Sequence, residues 1–557
     1  MAFLRKLAKP SAFLVGTGAS LYFFDSQFNS KTFQRNMRTL WAGGMIIADY
    51  KLNFRPDKAL EIDALHTRVA KRILTVCQKN GGLYIKFGQV IATQAAVLPP
   101  QYNRTFKVLY DDAPSVPYED VVHIFQEDFG CHPDDMFVEF ERKAFASASI
   151  AQVHRARLRD GTLVAVKVQK PYIRDQLDWD LRAYKAVCWL FEKAFDLPVY
   201  WSTEYTEKHL RQEVDFINEG HNAEKAAENL ATDSNLSSQV YIPKVFWKQT
   251  SSRILTAEWI DGIPLSETDK VEQCGFSTKA ILETVIGIFA HQIFMSGFVH
   301  CDPHPGNILI RKHPTSNKPQ VVLLDHGLYV TESDQFRADY CRLWKSLFLM
   351  DSKALEKICH GWGIRDVNMF ASATLLRPYN GKQAVHMTAK PTTRDVYEMQ
   401  LQLKERAKEF LSNTELIPRE LIFIGRNMNI VRANNKVFGS PVNRINMMAN
   451  YAVKGLGADW SQWYGEDGLM RDPHASTARI WYRHLVTAIR GRVSYWTFQL
   501  ALLAISATYY ASQLWRTINK AIFGRDTGSF EDVLDNQVRA AVANEFGVVL
   551  DENAFDA

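Results

Sequence analysis

The chain has 557 residues, of which 46% are hydrophobic and 23% charged. This composition excludes disordered, collagen-like and low-complexity proteins, and a mean hydropathy of -0.21 excludes a polytopic membrane protein. The 66 basic and 61 acidic residues leave a net charge of +5, which is too small for the dense basic surface of a nucleic-acid-binding protein. We therefore predict no nucleic-acid partner, and no feature of the sequence specifies an oligomeric state.

The N-terminal segment has the composition of an import signal. Residues 1–24 contain no acidic residue, and three basic residues precede an uncharged run from Pro10 to Phe24. A basic, acid-free start is typical of mitochondrial targeting, and the seven scattered cysteines argue against an oxidising, secretory destination. We predict a targeting segment and membrane anchor over residues 1–30 and a mitochondrial location.

The following segment, residues 31–135, is predicted to be a helical extension. Apolar residues recur at helical spacing at Leu65, Val69, Ile73 and Val76, and the pattern ends at Gly81-Gly82.

Short strand-like runs begin near residue 136. Two of them, residues 151–158 and 162–169, flank Asp160-Gly161, a dipeptide that favours a tight hairpin turn. Further strand candidates are residues 136–145, 239–248 and 253–260, and from residue 278 onward a mainly helical pattern is interrupted by apolar pieces at 307–310 and 320–325.

A small sheet followed by helices is the element order of a two-lobed kinase. We therefore predict an α+β, protein-kinase-like fold with a helical N-terminal extension and extra C-terminal helices. The N-lobe is expected over residues 136–262 and the C-lobe over residues 263–446.

The octapeptide HCDPHPGN, which begins at His300, carries the strongest chemical signal. Phosphoryl transfer needs a carboxylate that orients the acceptor and a nearby neutral oxygen ligand for Mg²⁺. Asp302 and Asn307 match the H-x-D-x-x-x-x-N loop that supplies both. Downstream, Asp325-His-Gly matches the D-F-G position, whose carboxylate binds the phosphate-bridging Mg²⁺. We predict Asp302 as a catalytic residue, Asn307 and Asp325 as metal ligands, and ATP with Mg²⁺ as cofactors.

Upstream, Val164-Ala-Val-Lys167 matches the strand lysine that neutralises the α- and β-phosphates. The glycine-rich loop expected before this strand is replaced by FASASIAQVH, residues 145–154. Because alanine does not tolerate the positive φ angles that glycine adopts, we expect a stiffer loop that holds nucleotide differently.

In these motifs the chain resembles the UbiB family, the aarF-domain atypical kinases, in its mitochondrial, membrane-anchored branch. The alanine-rich A-A-A-S loop of that family corresponds to Ala146-Ser147-Ala148-Ser149, and its following glycine to Ala151. Ser147 replaces an alanine of the family and Ala151 replaces a glycine. Both differences lie in the loop that sets nucleotide selectivity in the family. Two further family signatures, K-x-G-Q and E-x-D, are present as Lys86-Phe87-Gly88-Gln89 and Glu213-Val214-Asp215.

The resemblance implies roles for residues that would be unremarkable alone. Glu219 corresponds to the helix-C glutamate that pairs with Lys167, and Glu258 lies in the nucleotide-binding hinge. The K-x-G-Q helix of the family folds over the active site, so Lys86 and the carboxylates of Glu213 and Asp215 are expected to form a latch across the nucleotide pocket.

The resemblance also implies an ATP-dependent kinase or ATPase that acts in coenzyme Q and lipid homeostasis at the mitochondrial inner membrane. Membrane lipids and a quinone or prenyl-lipid ligand are the partners expected on this basis. No A-P-E motif follows Asp325 to dock a peptide, which favours a small or lipid-linked acceptor over a protein substrate.

Two other functions fit parts of the sequence. One is a nucleotide-gated membrane scaffold or lipid-handling pseudokinase with little turnover. The other is a soluble small-molecule phosphotransferase of the aminoglycoside or choline type, whose loop is similar to HCDPHPGN. The K-x-G-Q and E-x-D motifs and the hydrophobic ends speak against the last of these.

The C-terminal part is predicted to contain a helical extension over residues 447–492, a hydrophobic helix over 493–515 and an acidic tail over 516–557. The run 493–515 has no charge, aromatic residues near both ends and basic residues on both flanks, but several polar side chains dilute it. A membrane-spanning helix and a buried or interfacial helix both fit this pattern. Because the basic excess flanks the two hydrophobic segments, we expect contact with anionic lipid headgroups.

Overall fold

A computed structural model of the chain describes residues 25, 31–92, 99–110, 114–365, 367–375, 418–457, 477–523 and 528–537. Except for residue 25, the predicted targeting segment 1–30 lies outside the described residues, as does the end of the acidic tail, 538–557. Two compact units are distinguished by their contacts. Among the described residues, unit 1 contains the chain up to Asn218 together with Val245–Trp259, and unit 2 contains Glu219–Lys244 and the chain from Ile260 onward.

The described α-helices follow one another in chain order as α1 (Thr32–Asn53), α2 (Ile62–Asn80), α3 (Leu83–Ala92), α4 (Pro100–Phe106), α5 (Tyr118–Phe129), α6 (Pro133–Met136), α7 (Ile173–Phe195), α8 (Ser202–Glu213), α9 (Phe216–Ala231), α10 (Thr268–Gln273), α11 (Thr278–His291), α12 (Asp334–Leu349), α13 (Ser352–Gly361), α14 (Val367–Leu375), α15 (Glu420–Val437), α16 (Arg444–Gly455) and α17 (Thr477–Phe523). A 3₁₀ turn, Lys107–Tyr110, follows α4, and residues 530–537 are helical.

The described strands are β1 (Glu139–Phe140), β2 (Ala146–Ser147), β3 (Ala151–Arg157), β4 (Leu163–Gln169), β5 (Val240–Tyr241), β6 (Ile254–Glu258), β7 (Ile263–Pro264), β8 (Phe298–His300), β9 (Ile308–Lys312), β10 (Pro319–Leu323) and β11 (Tyr329–Thr331). The predicted strand over 136–145 is limited to β1. The run 239–248 forms only β5, because Pro243 has no amide hydrogen to extend a ladder.

The helical part of unit 1 packs around the apolar stripe predicted on α2. Leu65, Val69 and Val76 are buried in a core that includes residues of α1, α3 and α4. Helix α1 also packs on α7, where the buried side chains of Arg35 and Asp180 form an ion pair. The helices predicted from hydrophobic periodicity in this region are therefore confirmed.

The sheet of unit 1 is antiparallel and has the order β1-β3-β4-β6, with β2 paired to β3. The hairpin predicted at Asp160-Gly161 is confirmed, and Gly161 adopts a φ of +88° in the turn. Val164, Val166 and Val168 of β4 are buried in the core under α5. Because strand side chains alternate, Lys167 lies on the opposite face of the sheet.

Unit 2 is built around α11, which is buried along most of its length and contacts α15 and α16. The order of its mixed sheet is β5-β10-β9-β7, and β8 pairs with β11 in a separate two-stranded ladder. β9 and β10 confirm the two predicted apolar pieces as strands. The interval between Lys167 and Glu219 contains two long helices, α7 and α8.

The hydrophobic run 493–515 is helical, but its helix α17 begins earlier, at Thr477, and ends at Phe523. Phe498, Leu502 and Tyr509 on one face are buried in the core of unit 2, whereas Trp496 and Leu500 on the other face are more than 60% exposed. No helix among the described residues is both long enough and apolar enough to cross a membrane.

Gly88 of the K-x-G-Q motif lies in α3, where neighbouring elements leave no room for a side chain. A Cβ at this position would lie 2.1 Å from Leu109 Cδ1, 3.2 Å from Phe106 and 3.3 Å from Cys77 Sγ. All three neighbours are at least nine-tenths buried, so they have little room to move away. The glycine is therefore required for packing whatever its part in nucleotide binding.

We expect Gly88→Ala to lower the free energy of unfolding by about 1–3 kcal/mol, the usual cost of overpacking a core. Gly44→Ala is the matched control, because Gly44 lies in α1 with no atom near the added methyl group, and alanine there stabilises a helix by up to about 1 kcal/mol. Urea unfolding of both variants measures the difference. Equal stabilities of the two variants would contradict the packing role of Gly88.

Candidate active site

Lys167 occupies the central strand of the sheet in unit 1. On β4 it lies between Val153 of β3 and Leu255 of β6 in the strand register, and its ammonium lies 5.1 Å from the centre of the Phe216 ring. Glu258 ends β6 opposite Val164 and is partly exposed. The alanine-rich loop, residues 146–151, includes β2 and leads into β3 of the same sheet. Unit 1 thus places the predicted lysine, hinge glutamate and loop on one small sheet.

The K-x-G-Q and E-x-D motifs meet within unit 1. Lys86 Nζ lies 2.8 Å from Glu213 Oε1, and both side chains are mostly buried. Gln89 donates to the carbonyl of Leu109 at 3.0 Å, and Asp215 accepts from the amide of Ile217 at 3.1 Å, at the start of α9. Lys86 and Glu213 therefore join two segments more than a hundred residues apart in the sequence.

In unit 2, His300 connects the two halves of the phosphoryl-transfer motif. Its Nδ1 accepts from the amide of Asp302 at 3.0 Å, and its Nε2 donates to the carbonyl of Asp325 at 2.8 Å. The ring is 3% exposed, and burial lowers the pKa of His300. A neutral imidazole with its proton on Nε2 satisfies both hydrogen bonds, so one buried side chain determines the positions of both motifs.

Asn307 and Asp325 lie at the same end of two paired strands. Asn307 precedes β9, Asp325 follows β10, and the amide of Leu324 donates to the carbonyl of Asn307 at 3.0 Å. Asp325 Oδ1 accepts from the amide of Gly327 at 2.9 Å. Both side chains are partly exposed, which leaves oxygen atoms available to a ligand.

These two oxygen donors fit a magnesium ion that is shared with phosphates. Mg²⁺ prefers carboxylate and amide oxygens and commonly binds one or two protein side chains together with substrate phosphates and water. Within the described ranges, no group of three or more His, Cys, Asp or Glu side chains forms a metal site made of protein ligands alone. The donor set therefore fits a nucleotide-bound metal better than a structural one.

Helix α15 donates hydrogen bonds to the HCDPHPGN loop, residues 300–307, which we call the catalytic loop after the motif that it matches. The sequence analysis did not select the residues of α15 that make these contacts. Arg426 donates to Asp302 Oδ1 at 3.1 Å, Asn427 to the carbonyl of His300 at 2.6 Å, and Asn434 to the carbonyl of Pro303 at 3.2 Å. The sequence signal is the density of Asn and Arg in RNMNIVRANNK, residues 426–436, which is unusual for a helix that is largely buried. Without the fold, nothing indicates which loop these side chains contact.

Glu219 and Lys167 belong to different units, so their pairing stays a prediction. Glu219 lies in the first turn of α9 and is 2% exposed. The structure brings Asp302, Asn307 and Asp325 together in unit 2, and Lys86 and Glu213 together in unit 1.

One buried carboxyl group in unit 2, that of Glu332, has no hydrogen-bond partner among the described residues. Glu332 follows β11 and is 7% exposed. Burial raises the pKa of Glu332 to about 9, although Arg337 partly opposes the increase. At neutral pH the group is therefore protonated in the native state.

Comparison with known proteins identifies relatives along most of the chain. Residues 108–359 match the family described as the ABC1 atypical kinase-like domain. An ABC1 family protein of Schizosaccharomyces pombe is 38% identical over 89% of this chain and 88% of its own. The AarF domain-containing protein kinase 1 of Gallus gallus is 32% identical over 76% of this chain and 82% of its own.

Among solved structures, a Mycobacterium tuberculosis protein in complex with erythromycin covers 70% of this chain and 94% of its own, at 19% identity and a TM-score of 0.39. The family match, together with the small sheet and the helices described above, confirms the predicted α+β, protein-kinase-like fold class.

We expect the contribution of Glu332 to the free energy of unfolding to fall as pH rises from about 5 to about 9, because native Glu332 keeps a proton that the unfolded chain releases near pH 4.3. The contribution of Glu332 to the free energy of unfolding is complete at pH values below the pKa of the unfolded chain. It is lost as the pH approaches the pKa of the native state, at up to about 1.4 kcal/mol per pH unit. Glu332→Gln should flatten this slope and be more stable than the wild type above neutrality.

Urea unfolding at several pH values measures the effect, and the control is Glu272→Gln, which alters an exposed glutamate on α10. A variant at Glu332 that keeps the wild-type slope would show that this carboxyl group is ionised in the native protein.

Proposed function

Because the chain belongs to the ABC1/AarF family of atypical kinases, also called the UbiB family, we propose that it binds Mg-ATP and transfers or hydrolyses the γ-phosphate. The observation that supports this most directly is the pair of hydrogen bonds through which His300 joins Asp302 to Asp325. Phosphoryl transfer depends on the relative position of the acceptor-orienting carboxylate and the metal ligand. A rigid, buried connection between the two is what this reaction requires.

In this proposal each predicted residue has one task. Asp302 orients or deprotonates the acceptor, Asn307 and Asp325 hold Mg²⁺, and Lys167, paired with Glu219, binds the phosphates. The ion supplies charge neutralisation to the phosphate oxygens when it is bound. Partial exposure of Asp302, Asn307 and Asp325 leaves all three accessible to nucleotide and acceptor.

We further propose that the acceptor or regulatory ligand is a quinone or prenyl lipid and that the protein acts in coenzyme Q and lipid homeostasis at the mitochondrial inner membrane. Family membership supports the ligand class. The acid-free, basic N-terminal segment supports the location. The exposed apolar face of α17, which contains Trp496 and Leu500, supports contact with membrane lipids.

A nucleotide-gated scaffold with little turnover is the second candidate, and one contact favours it. Arg426 lies 3.1 Å from Asp302 Oδ1, and both side chains are largely buried. The guanidinium of Arg426 occupies a carboxylate oxygen that would otherwise orient an acceptor. This contact therefore competes with an acceptor for Asp302 and favours little turnover.

The proposal is tested with the full-length protein, by Mg-ATP binding and ATP hydrolysis with and without liposomes that contain quinone. Ligand-linked stabilisation of about 2.7 kcal/mol is expected at a hundredfold excess over Kd. Asp325→Asn should abolish Mg-ATP binding, because the proposed metal ligand loses its charge. Asp302→Asn should retain binding and reduce turnover by a factor of about 10² or more, the usual range for loss of an acid–base group.

The matched control is Asp269→Asn on α10, an exposed carboxylate outside the site, which should behave as the wild type. Binding without turnover in the wild type would favour the scaffold. Failure of the wild type to bind nucleotide would exclude both candidates.

The ion pair between Lys86 and Glu213 supports the predicted latch. We expect Lys86→Met and Glu213→Gln each to change nucleotide affinity, and the double variant to differ from the sum of the singles by about 0.5–3 kcal/mol, because the two groups contact each other. Nucleotide titration of the four proteins measures this coupling energy. Additive effects would mean that the pair stabilises unit 1 without influencing the nucleotide.

A further inference from the structure

Lys170 is a buried cation next to the alanine-rich loop. It follows β4 three residues after Lys167 and is only 2% exposed. Its ammonium donates to the carbonyl of Ala148 at 2.6 Å and to the carbonyl of Pro114 at 2.9 Å. Burial lowers the pKa of Lys170 to about 8, so keeping the charge in this place costs free energy. Lysine is rarely buried to this extent, because burying its charge is costly. Its presence at this position therefore indicates a specific role.

The second acceptor belongs to a segment that we call the strap, residues 114–117, which leads into α5. Three side chains attach the strap to the sheet near the loop. Besides Lys170, Ser147 donates to the carbonyl of Pro114 at 3.2 Å. The side-chain amide of Gln152 accepts from the amide of Val116 at 2.7 Å and donates to its carbonyl at 3.3 Å.

The loop is held at several points by the same neighbours. The amide of Ala148 donates to the carbonyl of Ala151 at 2.8 Å, and the amide of Lys170 donates to the carbonyl of Ile150 at 2.9 Å. In the strand register, Val153 of β3, two residues after the loop, lies opposite Lys167. The position of the loop relative to Lys167 therefore depends on where Lys170 holds it.

A glycine-rich loop adapts to phosphates through its own backbone freedom, whereas an alanine-rich loop lacks that freedom. An alanine-rich loop can instead be held in one binding-competent position by an anchor outside the loop. Such an anchor reduces the conformational entropy that is lost when nucleotide binds. Lys170 has the properties of this anchor, because its ammonium bridges the loop and the strap while its backbone continues from the strand that carries Lys167.

We propose that Lys170 is a positioning residue that holds the alanine-rich loop against the strap and thereby sets the affinity of the site for nucleotide. This inference rests on the proposed nucleotide-binding function and adds a residue that neither the kinase motifs nor the family signatures contain.

The decisive variant is Lys170→Met, which keeps most of the side-chain volume and removes both hydrogen bonds. We expect the Kd for Mg-ATP and for Mg-ADP to rise about tenfold, within the range for losing one pre-organising contact. Lys170→Arg, which retains a buried cation and donors, should recover part of the affinity. Ser147→Ala, which removes a hydrogen bond to the same carbonyl of Pro114, should change the Kd in the same direction by a smaller factor.

The matched control is Lys345→Met. Lys345 on α12 is also a buried lysine, 6% exposed, and burial lowers its pKa to about 8. Its loss should affect global stability as much as the loss of Lys170 but leave the nucleotide Kd unchanged. Comparing the two variants separates positioning of the loop from the general effect of removing a buried lysine.

Amide hydrogen exchange of the full-length protein without nucleotide gives a readout that does not depend on binding. In Lys170→Met, the amide of Ala148 should exchange at least about tenfold faster than in Lys345→Met, because the loop is released locally. Both results together, a weaker Kd and a less protected loop, support the proposal.

Two outcomes would overturn it, and they are distinguishable. If the wild type binds Mg-ATP and the Kd of Lys170→Met equals that of Lys345→Met, the positioning role is wrong and the proposed function stands. If the wild type binds neither ATP nor ADP, the proposed function fails and the positioning role falls with it.

Discussion

One buried imidazole in unit 2 holds together the two parts of the phosphoryl-transfer motif. His300 accepts a hydrogen bond from the amide of Asp302 and donates one to the carbonyl of Asp325, so it needs one bare and one protonated nitrogen at the same time. Burial lowers its pKa and so favours the neutral form that provides both. A charged ring would donate from both nitrogens and lose the acceptor that holds the loop. The positions of both carboxylates therefore depend on the exclusion of water from the imidazole ring of His300.

The protein keeps that loop in place with side chains from far along the chain. Helix α15 donates hydrogen bonds to the loop from Arg426, Asn427 and Asn434. The same helix is tied to the C-terminal segment by a buried ion pair between Arg432 and Asp535. Breaking such a pair by removing one partner typically costs about 3–5 kcal/mol. The described part of the acidic tail is therefore a structural support of α15, which in turn supports the loop.

In unit 1 close packing and buried charge take the place of backbone flexibility. Gly88 is a glycine because its neighbours leave no room for a Cβ. The alanine-rich loop is held by Lys170 and the strap, and the ion pair of Lys86 with Glu213 joins the K-x-G-Q helix to the end of α8. Each of these contacts connects segments distant in sequence. These contacts fix the positions of the alanine-rich loop and of the K-x-G-Q helix within unit 1.

The sequence alone determined the local features: the Asp160-Gly161 hairpin, the helical stripe of α2, and the ordered motifs around Lys167, Asp302 and Asp325. These follow from backbone preference, periodicity and fixed spacing, all of which are short-range. It did not determine whether residues 493–515 are buried, because an uncharged run diluted by polar side chains fits a membrane-spanning helix and a buried helix equally well. Only the tertiary structure shows that Phe498 and Tyr509 pack on the core while Trp496 is exposed. The tertiary structure also shows that Arg426 and Asn427 contact the HCDPHPGN loop and that Lys170 contacts the alanine-rich loop. Hydrogen bonds between such distant segments depend on packing, which leaves no periodic signal in the sequence.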